Sequence, residues 1–178
     1  MSASAPDGRK LLRLEVRNAQ TPIERKPEWI KTRAKMGPEY QALHSLVKTE
    51  ELHTVCQEAA CPNIAECFAA GTATFLIMGN ICTRHCLYCN IARGKPRAID
   101  LRESERLVNA VRKMNLRYVV ITSVTRDDLP DGGADFFAAC INRLRRELPQ
   151  IKIEVLIPDF QGNQAALEKV IGAVPALI

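Results

Sequence analysis

The sequence predicts an α/β fold built on a parallel sheet, and three observations carry that expectation. Strand-like and helix-like patterns alternate between residues 72 and 178. The segment Tyr118-Val119-Val120-Ile121-Thr122 is nearly continuous in apolar residues, as suits a strand covered on both faces. The helical stretches between strands carry apolar residues at i, i+3 and i+4. A βαβαβα series implies parallel strands joined by right-handed crossovers. A full TIM-type barrel needs several more βα units, so the expected architecture is a partial (β/α) barrel behind an N-terminal extension.

Each element has its own signal. Residues 1–35 hold Pro6, Pro22 and Pro27 without a sustained period, and predict an extended arm around Leu11, Leu12, Leu14 and Val16. Residues 38–52 predict a helix with Tyr40, Leu43, Leu46 and Val47 on one face and Pro38 in its first turn. Residues 54–71 carry three cysteines and read as irregular chain with short turns. Thr72 to Met78 is a β-rich run ending at Gly79. Asp100 and Glu103 have capping-box spacing ahead of a helix striped by Leu107, Val108, Val111 and Met114. After the Tyr118–Thr122 strand and Gly132-Gly133, a second helix shows Phe137, Cys140, Ile141, Leu144 and Leu148. Ile153 to Ile157 is a third strand closed by Pro158, and Asn163 caps a third helix containing Leu167, Val170 and Ile171. Ala176-Leu177-Ile178 opens a fourth strand. Two regions follow: an extension over 1–71 and half a barrel over 72–178. A parallel sheet stopped at its fourth strand leaves an open edge. The chain is therefore expected to be a piece of a longer one, or to take partner strands from elsewhere.

Composition excludes several function classes. Hydrophobic residues at 47% and charged residues at 25% describe a globular chain, and no run has the length that spans a bilayer. The polar start ends in Arg9-Lys10 with no apolar stretch behind it, so no secretory signal is expected and the protein is placed in the cytoplasm. The net charge of +5 is dispersed and aromatic content is only 5%, which argues against nucleic acid as a partner.

The seven cysteines are the informative residues. Thiols in the cytosol stay reduced, so clustered cysteines read as metal ligands before disulfides. Cys82, Cys86 and Cys89 form C-x-x-x-C-x-x-C directly after the first strand of the series. Three thiolates at this spacing wrap three corners of a cubane cluster and leave the fourth iron open to a small molecule. An electron-transfer ferredoxin wants a fourth cysteine, and structural zinc wants paired C-x-x-C units or histidines. The spacing favours a catalytic cluster, beyond the carboxyl end of a strand where α/β sheets build their sites. Cys56, Cys61 and Cys67 form a second triad, C-x4-C-x5-C, also one ligand short. Buried small hydrophobes and a zinc site are the competing readings for both sets.

These motifs carry a family resemblance. The C-x3-C-x2-C loop resembles the radical S-adenosylmethionine (SAM) superfamily, and the upstream C-x4-C-x5-C resembles lipoyl synthases in particular. Arg25-Lys26-Pro27-Glu28-Trp29-Ile30-Lys31, His53-Thr54-Val55-Cys56, Cys61-Pro62-Asn63, Ala73-Thr74-Phe75-Leu76-Ile77-Met78-Gly79 and the stretch from Thr122 to Ala134 are all similar to that family's segments. Biotin synthases share the first motif and lack the second. The resemblance implies a barrel of the radical SAM type, two [4Fe–4S] clusters and SAM. It implies that Cys82, Cys86 and Cys89 hold the SAM-binding cluster, with Tyr88 packed near it and Ser123, Thr125 and Arg126 in the SAM region. Cys56, Cys61 and Cys67 would hold an auxiliary cluster whose sulfides are inserted at carbons 6 and 8 of an octanoyl group. Implied partners are an octanoylated lipoyl carrier domain and an electron donor such as ferredoxin or flavodoxin. A radical route suits this chemistry, because an unactivated C–H bond has no useful acidity for general bases. The alternatives are a biotin-synthase-like sulfur inserter and a two-cluster electron carrier. Two departures stand out: the sequence lacks the late Arg-Ser-Ser-Tyr segment that supplies the family's fourth auxiliary ligand, and Phe68 replaces a usual tryptophan.

Other candidates read as structural. Cys140 lies on a helical apolar stripe and reads as core. His85 reads as a bystander in the cluster loop, and His44 and His53 as surface or packing residues. Ser123, Thr125 and Arg126 admit turn chemistry as readily as ligand binding. Gly132-Gly133 lacks the Gly-Lys-Ser/Thr that completes a phosphate loop. Arg143, Arg145 and Arg146 read as a solvated helix face.

Overall fold

Three parallel strands carry the fold in a computed structural model that describes residues 37–178 other than Ala60 and Gly71. The arm expected over 1–35 lies outside the described residues. In chain order the elements are helix α1 (Pro38–Thr49), strand β1 (His53–Thr54), and the short helices α2 (Val55–Glu58) and α3 (Ile64–Ala69). Strand β2 (Thr72–Ile77) and the two-residue strands β3 (Ile81–Cys82) and β4 (Ala92–Arg93) follow. Helix α4 (Glu103–Lys113), strand β5 (Tyr118–Ser123), helix α5 (Ala134–Glu147), strand β6 (Lys152–Leu156) and helix α6 (Gln164–Gly172) complete the series. The main sheet has the order β1-β2-β5-β6, with β2, β5 and β6 mutually parallel as expected.

Register explains why the apolar residues alternate as they do. Phe75, Ile121 and Val155 lie abreast across the three parallel strands and are almost wholly buried. They join Leu107 and Val111 of α4 and Phe137, Ile141 and Leu144 of α5 in one core. Cys140 sits in that core, and burial pushes its thiol upward, which fits the structural reading. Val47, Leu52, Ile64 and Phe68, from the segment ahead of β2, belong to the same core.

Several local expectations hold. The Oδ1 of Asn163 accepts from the amide of Ala166 at 3.1 Å and so caps α6, though Ile171 of that helix is half exposed. Leu177 makes an isolated parallel bridge to Glu154, where a next strand was expected. Arg143 is paired with Glu147 at 3.1 Å on its partly solvated face, and Arg145 donates to the carbonyls of Ala173 and Val174.

Others need correction. Residues 54–71 are largely helical rather than irregular, and β1 pairs antiparallel with β2, which the local pattern did not signal. Thr54 is the signal in retrospect: its hydroxyl oxygen accepts from the amide of Gln57 at 3.2 Å and starts α2. The capping box over Asp100 and Glu103 is not formed. Asp100 accepts from the amide of Arg102 at 2.9 Å, while Glu103 turns inward and its carboxylate accepts from the amide of Met78 at 3.0 Å. Met78 has φ 65°, a conformation costly for a residue with a side chain, and Gly79 continues the turn at φ 86°. The buried carboxylate thus serves the sharp turn that leads from β2 into the cysteine loop.

Candidate metal centre

The upstream cysteines are gathered by short-range turns. The amide of Cys61 donates to the carbonyl of Cys56 at 2.9 Å, folding the chain back on itself. The amide of Cys67 donates to the carbonyl of Asn63 at 3.0 Å within the first turn of α3. The Cys56 thiol is raised by its own burial and, further, by the neighbouring Cys61 and Cys67, while a hydrogen bond from Thr74 of β2 works against the shift. The helices that carry Cys56 and Cys67 both pack against β2, with Cys56 beside Thr74.

The downstream cysteines sit past the carboxyl end of β2, where the chain forms the small β3–β4 pair. The amides of Arg84 and Thr125 donate to the Cys82 sulfur at 3.4 and 3.3 Å. Cys86 and Cys89 are exposed, in a turn closed by the amide of Cys89 on the carbonyl of Cys86 at 3.1 Å. Leu87 and Tyr88 beside them are 94% and 93% exposed, far more than a finished surface leaves large apolar side chains. Among the described residues, no three His, Cys, Asp or Glu side chains converge closely enough to hold a metal ion as they stand.

Glu58 ties the two cysteine segments together. Its carboxylate accepts from Asn80 at 3.4 Å and meets His53 Nδ1 at 3.1 Å, and its carbonyl accepts from Asn90 at 3.0 Å. Residues just before Cys82 and just after Cys89 are therefore anchored on the helix that carries Cys56.

Residues 76–177 match the radical SAM superfamily. The chain belongs to the radical SAM superfamily. Residues 5–61 also match the N-terminal domain of lipoyl synthase of the radical SAM family. Curated relatives agree. A lipoyl synthase of Mycobacterium sp. (strain KMS) is 57% identical over 176 residues, covering 99% of this chain and 54% of that protein. One of Clavibacter sepedonicus is 60% identical over 161 residues, covering 90% of this chain and 49% of its own. One of Streptomyces griseus subsp. griseus is 56% identical over 183 residues, covering 100% of this chain and 56% of its own. The chain spans about half the length of the curated relatives it matches. Radical SAM membership implies a [4Fe–4S] cluster and SAM.

The residues at the strand ends fit those groups. Cluster thiolates are tuned by amide hydrogen bonds to sulfur, and Cys82 has two. At the end of β5, the Ser123 hydroxyl and Arg126 Nη1 are buried without a hydrogen-bond partner among the described residues. Buried polar atoms are almost always satisfied, so these two are suited to a polar ligand. The rest of the Arg126 guanidinium is occupied by Asp128, with two contacts of 2.8 Å. Thr125 acts through its backbone: its carbonyl accepts from the amide and hydroxyl of Thr83 at 3.1 and 2.9 Å. His85 is exposed in the loop and His44 is exposed on α1.

Among the described residues, cavities open at both ends of the sheet. One of about 490 Å³, bordered by Asp127, Asp128, Phe160 and Gln161, opens past the carboxyl ends of β5 and β6, and one of about 460 Å³, bordered by Met78, Asn80, Ile81 and Glu103, opens past the carboxyl end of β2 where the chain enters the cysteine loop. A larger one of about 800 Å³ opens at the opposite end, beside Thr72, Tyr118 and Lys152, the first residues of the parallel strands. Chemistry in such sheets gathers at the carboxyl ends, so the two smaller cavities are the relevant ones.

Arg84, Asp127 and Asp159 were not among the residues singled out from sequence. The guanidinium of Arg84 grips both carboxylates, and this holds the Asp159 carboxyl down to about 2. An arginine inside the cysteine loop and an acidic pair after Arg126 were the available signals.

Proposed function

We propose that the chain supplies the cluster-bearing part of a lipoyl synthase, which inserts two sulfur atoms at carbons 6 and 8 of a protein-bound octanoyl group. One observation carries the reading: two cysteine triads flank a single strand, one on the helical segment packed against β2 and one past its carboxyl end, the two segments tied through Glu58. The likeness to lipoyl synthases across both triads supports it.

In this reading Cys82, Cys86 and Cys89 hold the [4Fe–4S] cluster that binds SAM, and Cys56, Cys61 and Cys67 hold an auxiliary [4Fe–4S] cluster. The bound groups supply a carbon-centred radical and the sulfur. The chain's own residues orient and shield. Cys82 is preset by two amides. Exposed Leu87 and Tyr88 supply apolar cover beside the ligands. Ser123 and Arg126 offer buried polar atoms toward SAM, with Thr125 shaping the strand end. An octanoylated lipoyl carrier domain is the substrate, ferredoxin or flavodoxin the electron donor, and the cytoplasm the setting. Among the described residues no helix is long and apolar enough to cross a membrane.

Anaerobic reconstitution with iron and sulfide tests the assignment. About eight irons per chain are expected. Under a strong reductant, SAM is cleaved to 5′-deoxyadenosine by the wild-type chain and not by Cys86→Ala. Zinc without iron, or SAM cleavage that survives loss of Cys86, refutes the reading. Dethiobiotin set against an octanoylated carrier as substrate separates a biotin-synthase-like activity.

A further inference from the structure

Arg84 lies between two of the loop cysteines and uses its whole fork on two aspartates. Its Nε and Nη2 donate to Asp127 at 2.7 and 2.8 Å, and its Nη1 and Nη2 donate to Asp159 at 2.7 and 2.9 Å. Asp127 follows β5 and Asp159 follows β6, so one side chain spans two strand ends from the cysteine loop. A planar guanidinium does this because its donors are fixed in the geometry that two carboxylates present.

The neighbouring backbone reinforces the grip. The amide and hydroxyl of Thr83 donate to the Thr125 carbonyl, and the amide of Asp127 donates back to the Thr83 hydroxyl at 3.2 Å. Cys82 is thereby placed under the Thr125 amide. The hold ends there: Cys86, Leu87, Tyr88 and Cys89 are exposed. The Arg84 and Asp159 side chains are 34% and 61% exposed, so solvent screens the charges and the effect is geometric more than energetic.

We propose that Arg84 is a positioning residue that docks the cysteine loop onto the carboxyl ends of β5 and β6 through Asp127 and Asp159, fixing Cys82 before Cys86 and Cys89 engage iron. The docking stands on the hydrogen bonds alone, and its consequence for iron rests on the ligand reading above. Loop closure onto a cluster then starts from one fixed sulfur and one exposed turn, which lowers the ordering required when metal arrives.

The test uses the full chain in two states. Hydrogen exchange of the metal-free protein reads the docking at the amides of Thr83, Arg84 and Thr125, with α4 as an internal reference for intact folding. Arg84→Gln and Asp159→Asn are each expected to speed exchange at those amides by about fivefold or more, with α4 unchanged. The double variant should be no faster than Arg84→Gln, because both changes break one network. Arg84→Lys should fail to restore protection, since an ammonium cannot span both carboxylates. In reconstitution, Arg84→Gln should slow iron uptake at the loop while Cys56, Cys61 and Cys67 load as in wild type. Unchanged exchange in Arg84→Gln overturns the docking. Lost protection with unchanged iron uptake overturns its role in ligation. A wild-type chain that loads no iron at the loop, yet still loses protection in Arg84→Gln, supports the docking and refutes the ligand reading instead.

Discussion

The backbone amide of Thr125 donates to the sulfur of Cys82 at 3.3 Å, across 43 positions of sequence. A long-range contact of this kind gives the three loop cysteines unequal standing. Cys82 is held by the sheet, whereas Cys86 and Cys89 belong to an exposed turn. The upstream triad, by contrast, is local, within a helical segment that packs against β2.

This separation predicts independent loading. Cys86→Ala should lower reconstituted iron from about eight to about four per chain, and Cys61→Ala should do the same from the other side. Iron analysis with electron paramagnetic resonance distinguishes the two remaining clusters, since only the loop cluster should change its spectrum when SAM is added.

Gly133 predicts a backbone-limited substitution. It has φ 90°, and a β-carbon there would overlap the Met78 sulfur. Gly133→Ala should cost about 2 kcal/mol from left-handed strain and crowding. Adding Met78→Ala relieves the crowding and leaves the strain, so it should not recover the stability. Urea denaturation measures both.

Glu103 predicts a pH signature. Burial raises its carboxyl above the ordinary glutamate value, against the pull of the Met78 amide and Arg106. A carboxyl raised in the folded state gives stability that is full below the unfolded value of about 4.3 and is lost as pH climbs through the folded value. Glu103→Gln keeps an acceptor for Met78 and removes the titration. Relative to this variant, the wild type should lose stability as pH rises from about 4 to about 7. Chemical denaturation across that range checks the sign, and a difference that is flat or grows in favour of wild type contradicts it.

The core makes a simpler prediction. Phe137 is fully buried and meets Phe160 edge-on, ring centroids 6.3 Å apart. Phe137→Ala should destabilise by about 3–5 kcal/mol through lost contacts and a residual void.

The parts legible from sequence are those governed by local periodicity. The stripe through Phe137, Cys140, Ile141 and Leu144 is wholly buried because an i, i+3, i+4 pattern has one consistent face on a helix. Asn163 was legible because a cap acts within three residues. Glu103 was misread for the opposite reason: its spacing from Asp100 fits a cap, but the amide it serves is Met78, which only the strand packing brings near. Arg84 escaped because its partners lie 43 and 75 residues away, a relationship set by register across the sheet and not by any local period. The pairing of β1 with β2 escaped likewise, being only two residues long. Of the candidate site, the cysteine spacings were readable, and the amides that orient Cys82 were not.

Strand order has a consequence for biogenesis. β1 lies antiparallel along one margin of β2, and β5, β6 and the Leu177 bridge succeed one another on the other side. Spatial order therefore repeats synthetic order. Each newly emerged strand meets a template already laid down, and none has to thread between two neighbours. A ribosome can build this sheet like a wall raised course by course, with the first cysteine triad delivered before the second.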